Sequence, residues 1–295
     1  MKQMNLDLFY NANNLNNSTS NNNQRNEFKV FYKTEKGVLY KGDCLEIMKN
    51  LREKFDLIIL DPPYIEVRDV RTDSWNFNFN WHELFKQTHR LLKDNGVVFL
   101  FGLPSFYLRI SKYILTYFEV YFDLIWLKPQ GLNYMVAKLR PLNRHEQILC
   151  LVKKNCKKSE ITYNYTEIGE FRGKYFHKND GRFDPYTGEI KLSTESNGIR
   201  YPTTVIEAES KPHMKPSEKT EHPTQKPEKL IEFLVKGWTN EGDKVLDPFL
   251  GSGTTAVVCE RLNRQWLGIE IEEKWCRVAV ERIKRAKSVA RLDVF

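Results

Sequence analysis

Short aliphatic runs that alternate with stretches of helical spacing set the narrowest limits on what this chain can become. The runs "LIIL" at 57–60 and "VVFLF" at 97–101 have the length and branching of strands buried on both faces, while "KVLDPF" at 244–249 reads as a strand into a loop and "QWLGIEI" at 265–271 as a further strand. "VLYKGD" reads as a strand ending at Gly42-Asp43, and 45–53 as a short helix. "WHELFKQTHRLLKDNG" sets Trp81, Leu84, Phe85 and Leu92 at helical spacing and stops at Gly96. A helix over 105–116, a long strand "FEVYFDLIWLK" and another, "EQILCLVKK", follow. Late in the chain come helices at "PEKLIEFLVKGWT" and 254–262, and a last one with Trp275, Val278, Ala279 and Ile283 on one face. Strand and helix alternating in this way predict a doubly wound α/β sheet.

Two stretches break the alternation. Residues 11–26 hold nine asparagines in sixteen positions, too polar to offset their ordering entropy, so disorder is expected there. From about 154 to 220 the sequence is polar and turn-rich ("NDGRFDPYTGEI", "ESNGIRYPTT"), which reads as a substrate-contacting insertion. Charge is uneven as well. The net charge is +8, and residues 128–182 hold twelve Lys/Arg against five Asp/Glu. Such a segment is either a solvated face or a contact surface for a polyanion. On the second reading Lys153, Lys154, Lys157 and Lys158 would touch phosphates. The five cysteines lack C-x-x-C spacing and read as reduced thiols of a cytoplasmic protein. No apolar run reaches membrane-spanning length. The six histidines show no ligand spacing, so no metal is assigned.

The "LIIL" run ends in Asp61-Pro62-Pro63-Tyr64. Each proline fixes φ and removes an N–H, and Pro63 holds Pro62 out of the α region, so the strand must end in a stiff, extended corner. Asp61 and the Pro62 carbonyl remain as acceptors, and Tyr64 offers a flat face. Such a corner suits a planar group that carries an NH₂. The second focus is "VLDPFLGSGTTAVVCE", a strand ending at Asp247 with a Gly251-Ser252-Gly253 turn and a helix opening at Thr254. Glycines there admit a ligand to the backbone, and the helix start presents free N–H groups. The third glycine of the dinucleotide fingerprint is absent. Glu270 ends the next strand, where a doubly wound fold binds ribose hydroxyls. Asp43 could accept from a cofactor adenine, cap the helix that starts beside it, or do both.

"DPPY", "HPTQKP" at 222–227 and "LDPFLGSGTT" together resemble the S-adenosylmethionine-dependent DNA amino-methyltransferases, in the circularly permuted beta group where the catalytic motif precedes the cofactor loop. The resemblance covers roughly 28–154 and 222–290. It implies a Rossmann-like mixed sheet of permuted topology, divided into a tail (1–27), a catalytic half (28–154), an inserted target-recognition region (155–221) and a cofactor half (222–295). It also implies site-specific methylation of adenine N6 in double-stranded DNA, in a prokaryotic restriction-modification system with a cognate endonuclease; a homodimer is left open. Asp61, Pro62, Pro63 and Tyr64 would form the catalytic motif, with Asp61 also near the cofactor. Phe249, Gly251, Ser252, Gly253 and Thr254 would wrap the cofactor, with Asp247 supporting the loop. Glu270 would take the ribose, Asp43 the cofactor adenine, and Thr224, Gln225 and Lys226 the methionine carboxylate. Trp126 and Lys128 also look family-like. In this family Asp before Pro-Pro goes mostly with adenine and Ser with cytosine. The aromatic loop "SWNFNFNW" could close as a lid over a purine. A cytosine N4 enzyme, an RNA adenosine enzyme and a non-catalytic binding subunit are the alternatives.

Overall fold

The aliphatic runs assemble side by side in one sheet. The computed structural model describes residues 28–63, 79–132, 134, 137–173, 176–178, 193–195 and 198–292. In chain order the elements are β1 (Val30–Lys33), β2 (Gly37–Lys41), α1 (Cys44–Asn50), β3 (Phe55–Leu60), α2 (Trp81–Leu91), β4 (Leu92–Gly102), α3 (Pro104–Tyr117), β5 (Phe118–Leu132) and β6 (Asn143–Lys153). Shorter pieces follow: α4 (Tyr165–Ile168), β7 (Glu170–Phe171), β8 (Phe176–Lys178), β9 (Ser193–Glu195), β10 (Ile199–Arg200) and β11 (Val205–Glu207). The chain closes with α5 (Glu228–Trp238), β12 (Lys244–Asp247), α6 (Thr254–Arg261), β13 (Gln265–Glu270) and α7 (Glu273–Leu292).

Nine strands form the main sheet in the order β1-β2-β13-β12-β3-β4-β6-β5-β11. Strands β2, β13, β12, β3 and β4 run parallel to one another. β6 is antiparallel to β4 and β5, so the sheet is mixed, and β1 closes the other edge antiparallel to β2. Because β12 and β13 come last in the sequence yet lie between β2 and β3, the two ends of the chain meet in the middle of the sheet. The core lies where the central strands meet the helices. Leu57, Ile58, Leu60, Leu246, Leu267 and Ile269 are fully or almost fully buried, as the all-apolar runs require. No helix among the described residues is long and apolar enough to cross a membrane.

Two elements differ from the sequence reading. The helical spacing from Trp81 continues to Gly96, yet α2 ends at Leu91 and β4 begins at Leu92. Leu92 pairs with Phe55, and a register shift follows before Leu57 pairs with Val97, so sheet pairing overrides the local period. The turn-rich segment also contributes β11, which runs parallel to β5 at the sheet edge, with Val205 opposite Ile125. The Trp126 indole locks it there by donating to the Ala208 carbonyl at 2.9 Å. A three-residue strand surrounded by polar turns leaves no periodicity to read. The Asn-rich tail lies outside the described residues.

One buried carboxylate ties the two ends of the chain together. Glu260 of α6 accepts from the Trp266 indole of β13 at 2.9 Å and from the Thr34 hydroxyl in the β1–β2 turn. Trp266→Phe should keep most of the packing but remove one charge-assisted hydrogen bond from a buried acceptor. The expected loss is about 1.5–3 kcal/mol, read as a lower urea midpoint with unchanged slope.

Candidate active site

Four neighbouring parallel strands, β2, β13, β12 and β3, end at or just before an acid: Asp43, Glu270, Asp247 and Asp61 respectively. Their carboxyl ends share one rim because the strands are parallel and in register (Glu270 opposite Lys41, Asp247 opposite Gly268). A doubly wound sheet binds ligands along this rim.

At the end of β3, Pro62 is buried and Pro63 exposed. The half-buried Asp61 carboxylate meets the Lys226 ammonium, with both oxygens 2.7 Å from Nζ. Lys226 is buried, and its ammonium also stands 5.2 Å above the Phe101 ring of β4. Burial pushes the Asp61 carboxyl above its usual range, and Lys226 opposes that push. Burial works against the Lys226 charge, but Asp61, Glu146 and Asp247 outweigh it and raise the lysine pKa.

At the end of β12, buried Asp247 accepts from the Phe249 amide at 3.0 Å and the Thr255 hydroxyl at 2.6 Å. The loop between them turns through two left-handed residues, Gly251 (φ +51°) and Gly253 (φ +83°). They serve different ends. A Cβ on Gly253 would sit 2.7 Å from Ala279 of α7, so that glycine lets a helix pack. A Cβ on Gly251 would sit 3.0 Å from the His222 ring, against the cleft. Glu270 fixes the loop from the next strand, accepting from the Gly251 and Glu272 amides at 2.8 Å each. From α7, Arg282 donates to the Ser252 carbonyl and hydroxyl and to the Thr254 hydroxyl, while its other nitrogen pairs with Glu228 at 2.7 Å. Thr254 in turn donates to the Lys226 carbonyl at 3.1 Å. The corner after β3, the glycine loop and the 222–227 turn are thus joined by hydrogen bonds, and Asp61, Thr224, Phe249, Gly251 and Ser252 line one cleft between them.

His222 lines the same cleft. Its ring meets Trp275 edge-on at 4.6 Å, and its Nδ1 is buried with no hydrogen-bond partner among the described residues. Burial, helped by Lys226, Lys211 and Arg282, depresses its pKa to about 4, so the imidazole is neutral at neutral pH.

Several residues of the sequence reading do other work. Asp43 caps α1, accepting from the Leu45 and Glu46 amides at 2.8 and 3.1 Å, and it stands at the rim beside Glu270. The Gln225 side chain is turned into its own loop, bonded to Thr220 and the Glu218 carbonyl. Thr224 is exposed on the cleft. Lys226 is spent on Asp61, a pairing that a separation of 165 residues hides from any local pattern. Tyr64 and the aromatic loop up to Asn78 lie outside the described residues; Phe79 packs on Trp81 and, at 6.1 Å, on Phe249.

The lysine run is placed differently from the phosphate-contacting role. β6 is antiparallel to β4, with Gln147 opposite Gly102 and Leu151 opposite Val98. Leu149 is level with Leu100, which pairs with Leu60, so Lys153 lies about 13 Å further toward the opposite rim. Lys153, Lys157 and Lys158 there pair with Asp94, Glu160 and Glu119. Among the described cations of β5, β6 and their hairpin, Lys128 lies on the cleft side, with Lys138, Arg140 and Arg144 beyond it.

Arg282, His222 and Glu146 are new to the site. Arg282 had a legible signal: it follows Trp275 by seven residues and so interrupts the apolar face of α7 with a charge. Among the described residues no His/Cys/Asp/Glu cluster is arranged to hold a metal ion.

A family model described as DNA methylase matches residues 55–281. The type II methyltransferase M.HpaI of Haemophilus parainfluenzae is 34% identical over 251 residues, covering 82% of this chain and 72% of its own length. M2.DpnII of Streptococcus pneumoniae, also a type II methyltransferase, is 28% identical over 281 residues, covering 87% of this chain and 92% of its own. Among solved structures, the M1.HpyAVI–SAM complex superposes with a TM-score of 0.57 at 28% identity, covering 83% of this chain and 98% of that one. The cytosine-N4-specific PvuII DNA methyltransferase gives 0.62 at 18% identity over 90% and 95%, a likeness of fold.

Burial raises the Asp247 carboxyl to about 7, against its bonds from Thr255 and Phe249. In the unfolded chain it titrates near the ordinary value of about 3.9. Between these two values the folded state holds the extra proton, so this group lowers stability as pH rises. Asp247→Asn should therefore become more favourable relative to wild type from pH 4 to pH 8, in urea unfolding at each pH. A pH-independent difference would show that Asp247 does not titrate this way.

Proposed function

The chain belongs to the DNA methylase family, and from that premise we propose that it methylates the N6 amino group of adenine within a short sequence of double-stranded DNA, as the modification enzyme of a restriction-modification system. Asp61 favours this reading most: it is an acceptor at a proline-stiffened strand end, held on one side of the cleft whose other side is the glycine loop. A cognate endonuclease that cuts the same unmodified site belongs to the proposal. So does the assignment of residues 155–221 to target recognition.

The cofactor is S-adenosylmethionine, and when bound it supplies an electrophilic methyl group on a sulfonium. The cleft suits such a molecule. It offers an orphaned buried nitrogen on His222, backbone approach at Gly251 and a half-buried aromatic ring at Phe249. Phe249, Gly251 and Ser252 would hold it, with Asp247, Gly253 and Thr254 shaping the loop. The Glu270 carboxylate accepts from the Gly251 and Glu272 amides and would turn a remaining lone pair to a ribose hydroxyl. Asp43, already a helix cap, has its Oδ2 left for the adenine amino group of the cofactor. Thr224 is the member of the 222–227 turn left to meet the methionine carboxylate.

An exocyclic amino nitrogen is a poor nucleophile because its lone pair is delocalised into the ring. The Asp61 carboxylate and the Pro62 carbonyl would hold its two protons, favour a pyramidal nitrogen and fix its direction, a matter of positioning and electrostatics. The base must leave the helix stack to reach them, and stacking on Tyr64 would offset part of that cost. Asp at the head of the Asp-Pro-Pro-Tyr motif goes with adenine in this family. Cytosine N4 is the second reading, since it too offers an amino group beside a ring nitrogen.

Nucleoside mass spectrometry of duplex DNA treated with enzyme and S-adenosylmethionine should find N6-methyladenine. N4-methylcytosine as the main product would overturn the base, and transfer to RNA alone would overturn the substrate. Asp61→Asn, which keeps size and leaves Lys226 a carbonyl oxygen, should lower the rate about 10²–10³-fold while calorimetry finds S-adenosylhomocysteine binding intact. Turnover within a few-fold of wild type would sink the role of Asp61.

A further inference from the structure

Four adjacent strands, β3, β4, β6 and β5, present alternating charge at the cleft rim. Asp61 follows β3. The Lys226 ammonium lies over Phe101 of β4 and binds both Asp61 oxygens. Glu146 lies on β6, one residue before the Gln147 that faces the last residue of β4. Lys128 on β5 binds Glu146 at 2.5 Å. None of these side chains is more than 20% exposed. Lys128 also stands 4.8 Å over the Trp126 ring, and its carbonyl accepts from Arg144. Sequence reading gave Lys226 to the cofactor and Glu146 no role.

A half-buried carboxylate that must accept a hydrogen bond from the target amino group is useful only while ionised. Among the described residues, the other influences on Asp61 work against ionisation. Burial does so, and so does Glu146; Asp247 of the adjacent strand is a further acid, whose own carboxyl the Asp61 charge raises. Tyr107 of α3 faces the same cluster, but its hydroxyl donates to backbone carbonyls of β4 and β6 and its own pKa lies far above neutrality. The neutral His222 across the cleft adds no charge. Lys226 is the cation in contact with Asp61.

We infer that Lys226 is a positioning residue for methyl transfer, holding the Asp61 carboxylate ionised and fixed in plane, and that the Glu146–Lys128 pair sets the strength of that hold from the neighbouring strands. This rests on the proposed methyl transfer for its purpose, though not for its electrostatics. With both Asp61 oxygens on one ammonium the carboxylate cannot rotate about its last bond, and each oxygen still has a lone pair for the incoming amino group. Glu146 attracts Lys226 outward and repels Asp61, while Lys128 tempers Glu146. The array therefore has a sign that can be tested at each member.

The test is a carboxyl ¹³C NMR titration of the full-length protein with labelled aspartate, the Asp61 signal assigned by its loss in Asp61→Asn. Single-turnover methylation of duplex DNA is measured over the same pH range at saturating cofactor. Lys226→Met removes the nearest positive charge, so Asp61 should protonate at higher pH, by about 1–3 units, and the acid limb of the rate should move up with it. S-adenosylhomocysteine affinity should stay within a few-fold of wild type. Glu146→Gln removes a negative charge, so both readouts should move the opposite way. That second variant leaves the Asp61 ion pair intact and decides the matter if Lys226→Met does not fold. Lys226→Arg should restore much of the wild-type profile. The inference is overturned if the Asp61 titration is unmoved in Glu146→Gln and Lys226→Met. It is equally overturned if Lys226→Met loses S-adenosylhomocysteine binding with an unchanged rate profile at saturating cofactor, which would return the ammonium to the cofactor. A wild-type enzyme that transfers no methyl group to DNA would overturn the proposed reaction, and the NMR titration would still judge the array.

Discussion

The ion pair between Asp61 and Lys226 joins two parts of the chain 165 residues apart, and the site is organised around it. Removing either partner would leave an uncompensated charge in a half-closed cleft, a state several kcal/mol less stable as a rule. The backbone that carries Lys226 must therefore stay where it is, and the Thr254 bond to its carbonyl passes that constraint to the glycine loop. Arg282 extends it to α7, and Glu228 ties the same arginine to α5. Two helices, a loop and a strand end thus share one network of polar contacts. The corner after β3 and the glycine loop therefore cannot shift independently.

Much of this was readable in the sequence, for physical reasons. A strand buried on both faces has to carry an apolar run, so "LIIL" of β3 and "VVFLF" of β4 announce themselves. A chain that leaves such a run through Asp-Pro-Pro or Gly-Ser-Gly has few conformations open to it, which marks both sides of the cleft. The rim position of Asp43, Asp61, Asp247 and Glu270 then follows from parallel register alone.

What could not be read depends on contacts distant in sequence. The α2–β4 boundary is set by Leu92 pairing with Phe55, against a helical period that runs on. β11 exists because β5 offers an open edge, and nothing within "VIE" says so. The lysine run after β6 looks like a polyanion surface until strand direction puts it at the far rim among its own acids. Lys226 and Gln225 sit in a motif whose linear order suggests three equal contacts with one ligand, whereas the turn folds one side chain inward, aims another at Asp61 and leaves Thr224 on the cleft.

The central position of β12 has a consequence for how the protein is made. β12 is the shared neighbour of β3 and β13, yet it follows β3 in the chain with α2 through α5 in between. Until residue 244 leaves the ribosome, one edge of β3 stays open, and its "LIIL" run is of the kind that pairs with other chains. Contacts of such long sequence separation also form slowly. A nascent chain holding only the first half has the acceptor corner but neither the ammonium that balances it nor the strand that covers its edge. The vulnerable interval therefore runs from the emergence of β3 to that of β12. Truncations from the C-terminus should yield aggregation-prone fragments and no partly active ones.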